Sequence, residues 1–378
     1  MGGRAGRDGA GRLALVAAPD LTEDDVRAAL DGVRPLAVLP AGPPAAVAAA
    51  RGVLRPEEPL EPGTDLVVVT SGTTGTGRGV LLSAGALRAS AAATHERLGG
   101  PGSWLLALPV SAIAGLQVLC RSILAGVPAT VRSDGEPLAA AVARMPAGRR
   151  YTALVPTQLR RFLDAEPDAL RAFDAVLVGG AATDPALLDR ARAEDVRVVT
   201  TYGMTETAGG CVYAGRPLDG VAVRIPDGIE LSGPTLALGY RLDPAATAEA
   251  FRDGWFRTRD AGTLADDGRL TVHGRLDDVV ISGGVNVVPA AVEAALREHP
   301  DVADAVVVGR PDEEWGQRVV AAVVPSPGRI PRLDVLRAWV ADRLGAPAAP
   351  RALLLLDALP LLHTGKPDRR AVAERVGG

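Results

Sequence analysis

Apolar residues fall in short blocks along the first part of the chain, and most blocks are closed by glycine or a hydroxyl residue. The blocks at 66–69, 104–108, 153–155, 175–178 and 197–201 have the length and composition of buried strands. Between and before them, helical patterns predict helices over 22–30, 83–98, 157–163 and 185–192. Strands alternating with helices predict an α/β fold built on doubly wound, mainly parallel sheets. From about residue 215 the texture changes. Short runs at 222–225, 229–232 and 270–272, separated by Gly, Pro and Asp, predict a β-rich subdomain. Beyond a charged turn at 274–278, a helix over 289–298 and strands over 304–308 and 318–324 predict a small α+β unit. The expected domains are 1–276 and 277–378, with no repeat and no low-complexity linker.

Composition narrows the class. The chain has 378 residues, 47% of them apolar and 23% charged, so it can bury a sizeable core and is not disordered. Aromatics at 3% argue against a base-stacking nucleic-acid binder, and a net charge of −4 implies no polyanion partner. Cys120 and Cys211 are too few for a disulfide framework or a cysteine-rich zinc site. The basic first residues carry too short an apolar run for a signal peptide, and no run approaches the ~20 residues of a membrane helix. The expectation is a cytoplasmic protein with no membrane or nucleic-acid partner; a homo-oligomer is compatible with the sequence. One count stands out. Of 41 basic residues only Lys366 is a lysine, and Asn286 is the lone asparagine, as in a genome that drives Lys to Arg. A lysine that survives such a bias is informative.

The strongest motif is Thr70-Ser71-Gly72-Thr73-Thr74-Gly75-Thr76-Gly77-Arg78-Gly79. Glycines let backbone N–H groups approach phosphate oxygens, hydroxyls donate further bonds, and Arg78 supplies charge. Gly72 to Gly77 has the spacing of a Walker-type loop, yet Arg78 and Gly79 stand where that loop needs its lysine and its metal-binding hydroxyl. A P-loop NTPase is therefore excluded on chemistry.

The same stretch resembles the phosphate loop of the acyl-adenylate-forming enzymes, which include acyl- and aryl-CoA ligases, luciferases and peptide adenylation domains. Their usual loop ends Gly-x-Pro-Lys-Gly, so Gly77 and Arg78 depart from it. Further motifs follow in family order. Gly180 and Ala181, after a strand, match the adenine-contacting loop. Tyr202-Gly203-Met204-Thr205-Glu206 matches Tyr-Gly-x-[Thr/Ser]-Glu. There Tyr202 offers its ring to adenine, Thr205 donates to phosphate, and Glu206 is a hard oxygen ligand suited to Mg²⁺. Gly254-Trp255-Phe256-Arg257-Thr258-Arg259-Asp260-Ala261-Gly262 carries Asp260, a carboxylate able to accept from both ribose hydroxyls. In Gly274-Arg275-Leu276-Asp277-Asp278 the resemblance assigns Arg275 to ribose and Asp277 to the hinge of the C-terminal domain. Gly283 and Gly284 fall in the loop that would leave room for the pantetheine arm of CoA. Lys366, in Thr364-Gly365-Lys366-Pro367, falls at the family's catalytic lysine, where a compact ammonium fits between carboxylate and α-phosphate.

The short chain and the segments 108–119, 155–159 and 215–221 resemble the o-succinylbenzoate–CoA ligases of menaquinone synthesis in their compact actinobacterial form. This implies ATP, Mg²⁺ and CoA as cofactor and co-substrates, and a small carboxylic acid, o-succinylbenzoate, as the partner molecule. Another aryl- or acyl-CoA ligase, a carrier-loading adenylation enzyme, or a catalytically silent nucleotide-binding homologue are the alternatives. Ser111-Ala112 stands where many relatives have an aromatic residue and a His. Arg160, Gln158, Thr157 and the Gly209–Cys211 loop are all candidates to meet the acid's second carboxylate. The four histidines read as surface or packing residues.

Overall fold

A computed structural model describes residues 12–70, 77–276, 278–361 and 367–376. The chain divides into two compact units. One comprises Met1–Gly180, Arg190–Val223 and Glu230–Arg257, and the other Ala181–Asp189, Arg224–Ile229 and Thr258–Gly378.

Two of the sheets in the first unit carry the predicted alternation of strands and helices. In one, Val198–Met204, Ala175–Val178, Arg150–Leu154, Ser103–Leu106 and Thr130–Val131 run parallel in that order, and Gly209–Tyr213 adds antiparallel beside Val198–Met204. The four predicted strands sit within three residues of their expected ends; Ser103–Leu106, Arg150–Leu154 and Ala175–Val178 are almost wholly buried, as apolar blocks without polar alternation require, whereas Val198–Met204 is half-buried. Helices Ala84–Arg97 and Ile113–Ala125 pack against them through Leu87, Ala91, Leu116 and Val118 in one continuous core. Ser83 caps the former by accepting from Ala86 N at 3.1 Å, and Gly126, at φ +69°, ends the latter.

The other sheet differs from expectation. Ala14–Ala17, Leu36–Leu39 and Leu66–Thr70 are parallel, and the direction then reverses at Arg78–Leu82, which pairs antiparallel with Leu66–Thr70 before the helix begins. The strand before the glycine-rich segment thus pairs with a second strand after it, and the helix begins only beyond that second strand. Gly79 obscures this strand in the sequence, yet it is needed there, because a Cβ would lie 2.9 Å from Arg241 Cβ.

In the second unit Asp260–Leu264 and Leu270–Arg275 form an antiparallel hairpin, so Gly274 and Arg275 belong to a strand end and not to a turn. A separate sheet joins Val285–Val287, Val280–Ser282, Gly316–Pro325 and Val302–Asp312, with Ala352–Leu355 parallel to Gly316–Pro325. Val292 and Leu296 of helix Pro289–Arg297 and Leu336 and Val340 of helix Leu333–Leu344 close one face of it. Val372 of helix Arg369–Val376 packs into a second cluster with Val306 and Val320.

Candidate active site

Open parallel sheets collect ligands at the carboxyl ends of their strands. Two of the predicted motifs lie there. Gly179 and Gly180 follow Ala175–Val178; a Cβ on Gly179 would lie 2.2 Å from Thr201 Oγ1, and Gly180 has φ +81°. Glycine is what lets this loop pass the neighbouring strand. Ala181 comes next and is exposed, as is Gly180.

Tyr202 and Gly203 lie in the strand Val198–Met204, and Thr205 and Glu206 in the tight turn that leads into Gly209–Tyr213. Gly203 faces its antiparallel partner so closely that a Cβ would sit 2.3 Å from Gly209 O. Thr207 fixes the turn: its Oγ1 accepts from Met204 N at 2.9 Å and is 2.7 Å from Gly209 O. Thr205 is buried and Glu206 half-buried. Glu206 Oε1 accepts from the Tyr240 hydroxyl at 3.0 Å. Tyr240 in turn lies under Arg78, whose Cζ is 5.1 Å from the ring centroid. Burial first, then the Glu206 carboxylate, push the Tyr240 hydroxyl far above its ordinary pKa and keep it a donor.

Thr70 and Arg78 are directly paired at the base of the phosphate hairpin, and Thr70 Oγ1 lies 3.3 Å from Arg78 O. Gly77 is required by the same closeness, since a Cβ there would be 2.6 Å from Thr70 O. Ser71, Gly72, Thr73, Thr74 and Gly75 lie outside the described residues, as do Asp277 and Lys366.

In the second unit the hairpin places Asp260 opposite Arg275, with Arg275 Nη1 3.4 Å from Asp260 Oδ1. The two ribose candidates, read from separate motifs, share one edge. Asp260 is buried and its backbone N–H donates to Thr258 Oγ1 at 3.1 Å. Gly283 and Gly284, at φ +58° and +77°, form the two-residue turn between Val280–Ser282 and Val285–Val287. The space beside Gly284 is open, but a Cβ on Gly283 would meet the Trp315 ring at 2.7 Å. Gly283 therefore accommodates Trp315.

Among the acyl-site candidates, Gln158 is already engaged: its Oε1 accepts from Val155 N at 3.1 Å and its Nε2 donates to Ala107 O at 2.8 Å. Thr157 is half-buried, Arg160 is exposed, and Cys211 is fully buried. Ala112 is the N-cap of Ile113–Ala125 and supplies no capping side chain. His95 and His299 pack against Trp104 and Trp339, in accord with packing roles.

Among the described residues no group of three or more His, Cys, Asp or Glu side chains could hold a metal ion. A lone carboxylate such as Glu206 still suits Mg²⁺, which takes most of its ligands from substrate phosphates and water. Sequence reading does not single out Tyr240 or Arg241, because nothing in Gly239-Tyr240-Arg241 signals chemistry before the sheet brings it beside Arg78.

Residues 13–233 match the AMP-binding enzyme family, and residues 291–366 match the AMP-binding enzyme C-terminal domain. The "Probable 2-succinylbenzoate--CoA ligase" of Mycobacterium tuberculosis is 49% identical over 339 residues, covering 86% of this chain and 88% of that protein. The o-succinylbenzoate CoA synthetase of Bacillus subtilis, solved with its acyl-adenylate intermediate, is 26% identical with a TM-score of 0.77, over 95% of this chain and 82% of that one. The same synthetase has been solved with ATP and magnesium ion, at TM-score 0.76 and 26% identity, over 95% and 84% of the two chains. The amide bond synthetase McbA of Marinactinospora thermotolerans has a TM-score of 0.78 at 27% identity, over 98% and 91%.

Proposed function

Because the chain belongs to the AMP-binding enzyme family, we propose that it is an o-succinylbenzoate–CoA ligase that forms an acyl-adenylate and then a CoA thioester. The likeness to the mycobacterial ligase over nearly the whole of both chains carries the choice of acid. In the first half-reaction a carboxylate oxygen of o-succinylbenzoate attacks the α-phosphorus of ATP, and pyrophosphate leaves. In the second, the CoA thiol attacks the acyl carbonyl, AMP departs, and the thiol proton passes to solvent. No protein nucleophile is needed; positioning and charge stabilisation suffice.

Each residue has a role in this scheme. Tyr202 stacks on adenine beside the Gly180–Ala181 loop. Asp260 and Arg275 hold the ribose hydroxyls as acceptor and donor. Thr70, Arg78 and Thr205 hold the phosphates, with Ser71 through Gly75 completing the loop. Glu206 would hold Mg²⁺, which would supply neutralisation of phosphate charge. Lys366 bridges the carboxylate and the α-phosphate, and the C-terminal domain, taken as 277–378, turns about Asp277 between half-reactions. Gly284, more than Gly283, leaves space for pantetheine. Supplies of ATP and CoA place the reaction in the cytoplasm, as one step of menaquinone synthesis. Among the described residues no helix is long and apolar enough to cross a membrane.

The test is mass spectrometry of acyl-AMP and acyl-CoA formed from MgATP, CoA and a panel of acids. Preferential thioester formation from o-succinylbenzoate is expected; preference for another acid overturns the substrate, and adenylate without thioester overturns the acceptor. Lys366→Ala should lower ATP–pyrophosphate exchange at least ~10²-fold, the scale of one lost transition-state contact. Unchanged exchange would remove Lys366 from the scheme.

A further inference from the structure

We propose that Tyr240 is a positioning residue for adenylation: its hydroxyl holds the Glu206 carboxylate and its ring carries the Arg78 guanidinium, so one side chain sets both groups against the triphosphate. The inference rests on the roles given above to Glu206 and Arg78. Its own basis is geometric. The hydroxyl is 3.0 Å from Glu206 Oε1, and Arg78 Cζ is 5.1 Å from the ring centroid. Both contacts lie within the first unit, between segments far apart in sequence.

Tyr240 is itself held firmly. Its strand pairs antiparallel with Arg78–Leu82, Tyr240 opposite Val80, which brings the ring beside Arg78. Its N–H donates to Thr247 Oγ1 at 2.9 Å, and the Phe251 ring meets it edge-on at 5.8 Å between centroids. Three residues earlier, Ala237 N donates to Glu206 O at 2.8 Å, so the backbone of the tyrosine segment also grips the acidic turn. Only 6% of the residue is exposed. A buried hydroxyl that donates a hydrogen bond to one carboxylate oxygen restricts the rotation of that carboxylate. Such outer contacts to a metal-binding carboxylate typically change metal affinity or activity by ten- to a hundredfold. The ring beneath Arg78 restrains a long side chain that is otherwise exposed, and attracts its charge through the aromatic face.

Two variants separate the functions. Tyr240→Phe keeps the ring and removes the hydroxyl; Tyr240→Leu removes both. In ATP–pyrophosphate exchange, Tyr240→Phe should raise the half-saturating Mg²⁺ concentration by about tenfold. It should leave CoA thioester formation from synthetic acyl-adenylate within twofold of wild type. Tyr240→Leu should add a rise in the KM for pyrophosphate. Half-saturation does not depend on the fraction of active protein, so partial misfolding does not imitate the result. An unchanged Mg²⁺ dependence in Tyr240→Phe overturns the proposal, as does an equal loss in both half-reactions. Wild-type protein that gives no exchange with o-succinylbenzoate would instead overturn the substrate reading. The Mg²⁺ dependence of stabilisation by ATP in a thermal shift, which needs no acid, then decides the role of Tyr240 by the same tenfold criterion.

Discussion

Arg241 offers a sharp test of how the phosphate hairpin is supported. Its side chain is fully buried, yet its main anionic partner, Glu61, is 29% exposed. The guanidinium is satisfied chiefly by backbone: Nε donates to Leu54 O at 3.0 Å, Nη2 to Arg55 O and Glu58 O at 2.9 and 2.8 Å, and Nη1 to Pro59 O and to Glu61 Oε2, the last at 2.7 Å. One planar fork thus organises the whole 54–61 segment. Arg241→Met fills much of the same volume and strands these acceptors. At about 1 kcal/mol for each buried carbonyl left without a donor, the four carbonyls alone come to ~4 kcal/mol. Arg241→Lys keeps the charge but brings three donors from one point, which cannot span the fork, so roughly half of that loss should return. The damage should be local. Arg241 N donates to Gly79 O at 2.7 Å, and its Cβ fills the space beside Gly79, so the hairpin should loosen together with 54–61. Urea unfolding followed by hydrogen exchange in both segments measures it, with the KM for ATP expected to rise while thioester formation from preformed adenylate does not change. Stabilities within about 0.5 kcal/mol of wild type for both variants, the range of ordinary surface substitutions, would refute the reasoning.

Further outcomes follow from the cores. Burial, and secondarily the nearby Arg121 charge, lower the pKa of His95 from 6.5 to about 4, and its Nε2 accepts from Trp104 Nε1 at 3.3 Å. The neutral ring is favoured in the folded state, so its contribution is complete above pH ~6.5 and is lost as pH falls towards 4, by roughly 3 kcal/mol at most. Urea midpoints at pH 7.5 and 5 should show this loss, and His95→Gln, which keeps an acceptor for Trp104, should abolish it. Cys120 and Cys211 are buried thiols pushed up to about 12, so iodoacetamide at pH 8 should modify neither until the protein is denatured. Gly203→Ala, forced against Gly209 O, should destabilise the first unit by more than about 2 kcal/mol and abolish pyrophosphate exchange; a folded, active variant would contradict the geometry.

The central strands of the parallel sheet in the first unit are legible in the sequence because they are buried. An unbroken apolar block such as 175–178 needs no partner to be recognised. The strand Arg78–Leu82 is not legible in that way. It opens with an exposed arginine and a glycine, and only the Arg241 side chain, arriving from much later in the chain, explains why that glycine is there. The same limit applies to the site. Asp260 and Arg275 can each be read from a motif, whereas their closeness depends on a hairpin register that includes a bulge after Ala261. Tyr240 has no motif at all within the signals that sequence patterning supplies.

This division has a physical origin. Groups that touch a ligand are constrained by its chemistry, so a triphosphate calls for glycines, hydroxyls and a cation in a compact local pattern. Groups that hold those groups are constrained only by geometry, and a distant residue serves as well as a near one. Glu206 needs a donor at one carboxylate oxygen, and the fold supplies it from the strand Gly239–Tyr240, which pairs with the Arg78 strand. Local sequence therefore specifies the reactive groups. At the hairpin base the supporting residues are Tyr240, which ends the short strand Gly239–Tyr240, and Arg241, which directly follows it. One braces the charged groups at the hairpin base, and the other anchors the backbone behind them. Substituting Tyr240 should thus alter cation dependence with little effect on the 54–61 segment, and substituting Arg241 should expose that segment first. Hydrogen exchange and Mg²⁺ titration on the two variants would distinguish these effects, and identical profiles would mean that the strand acts as one support rather than two.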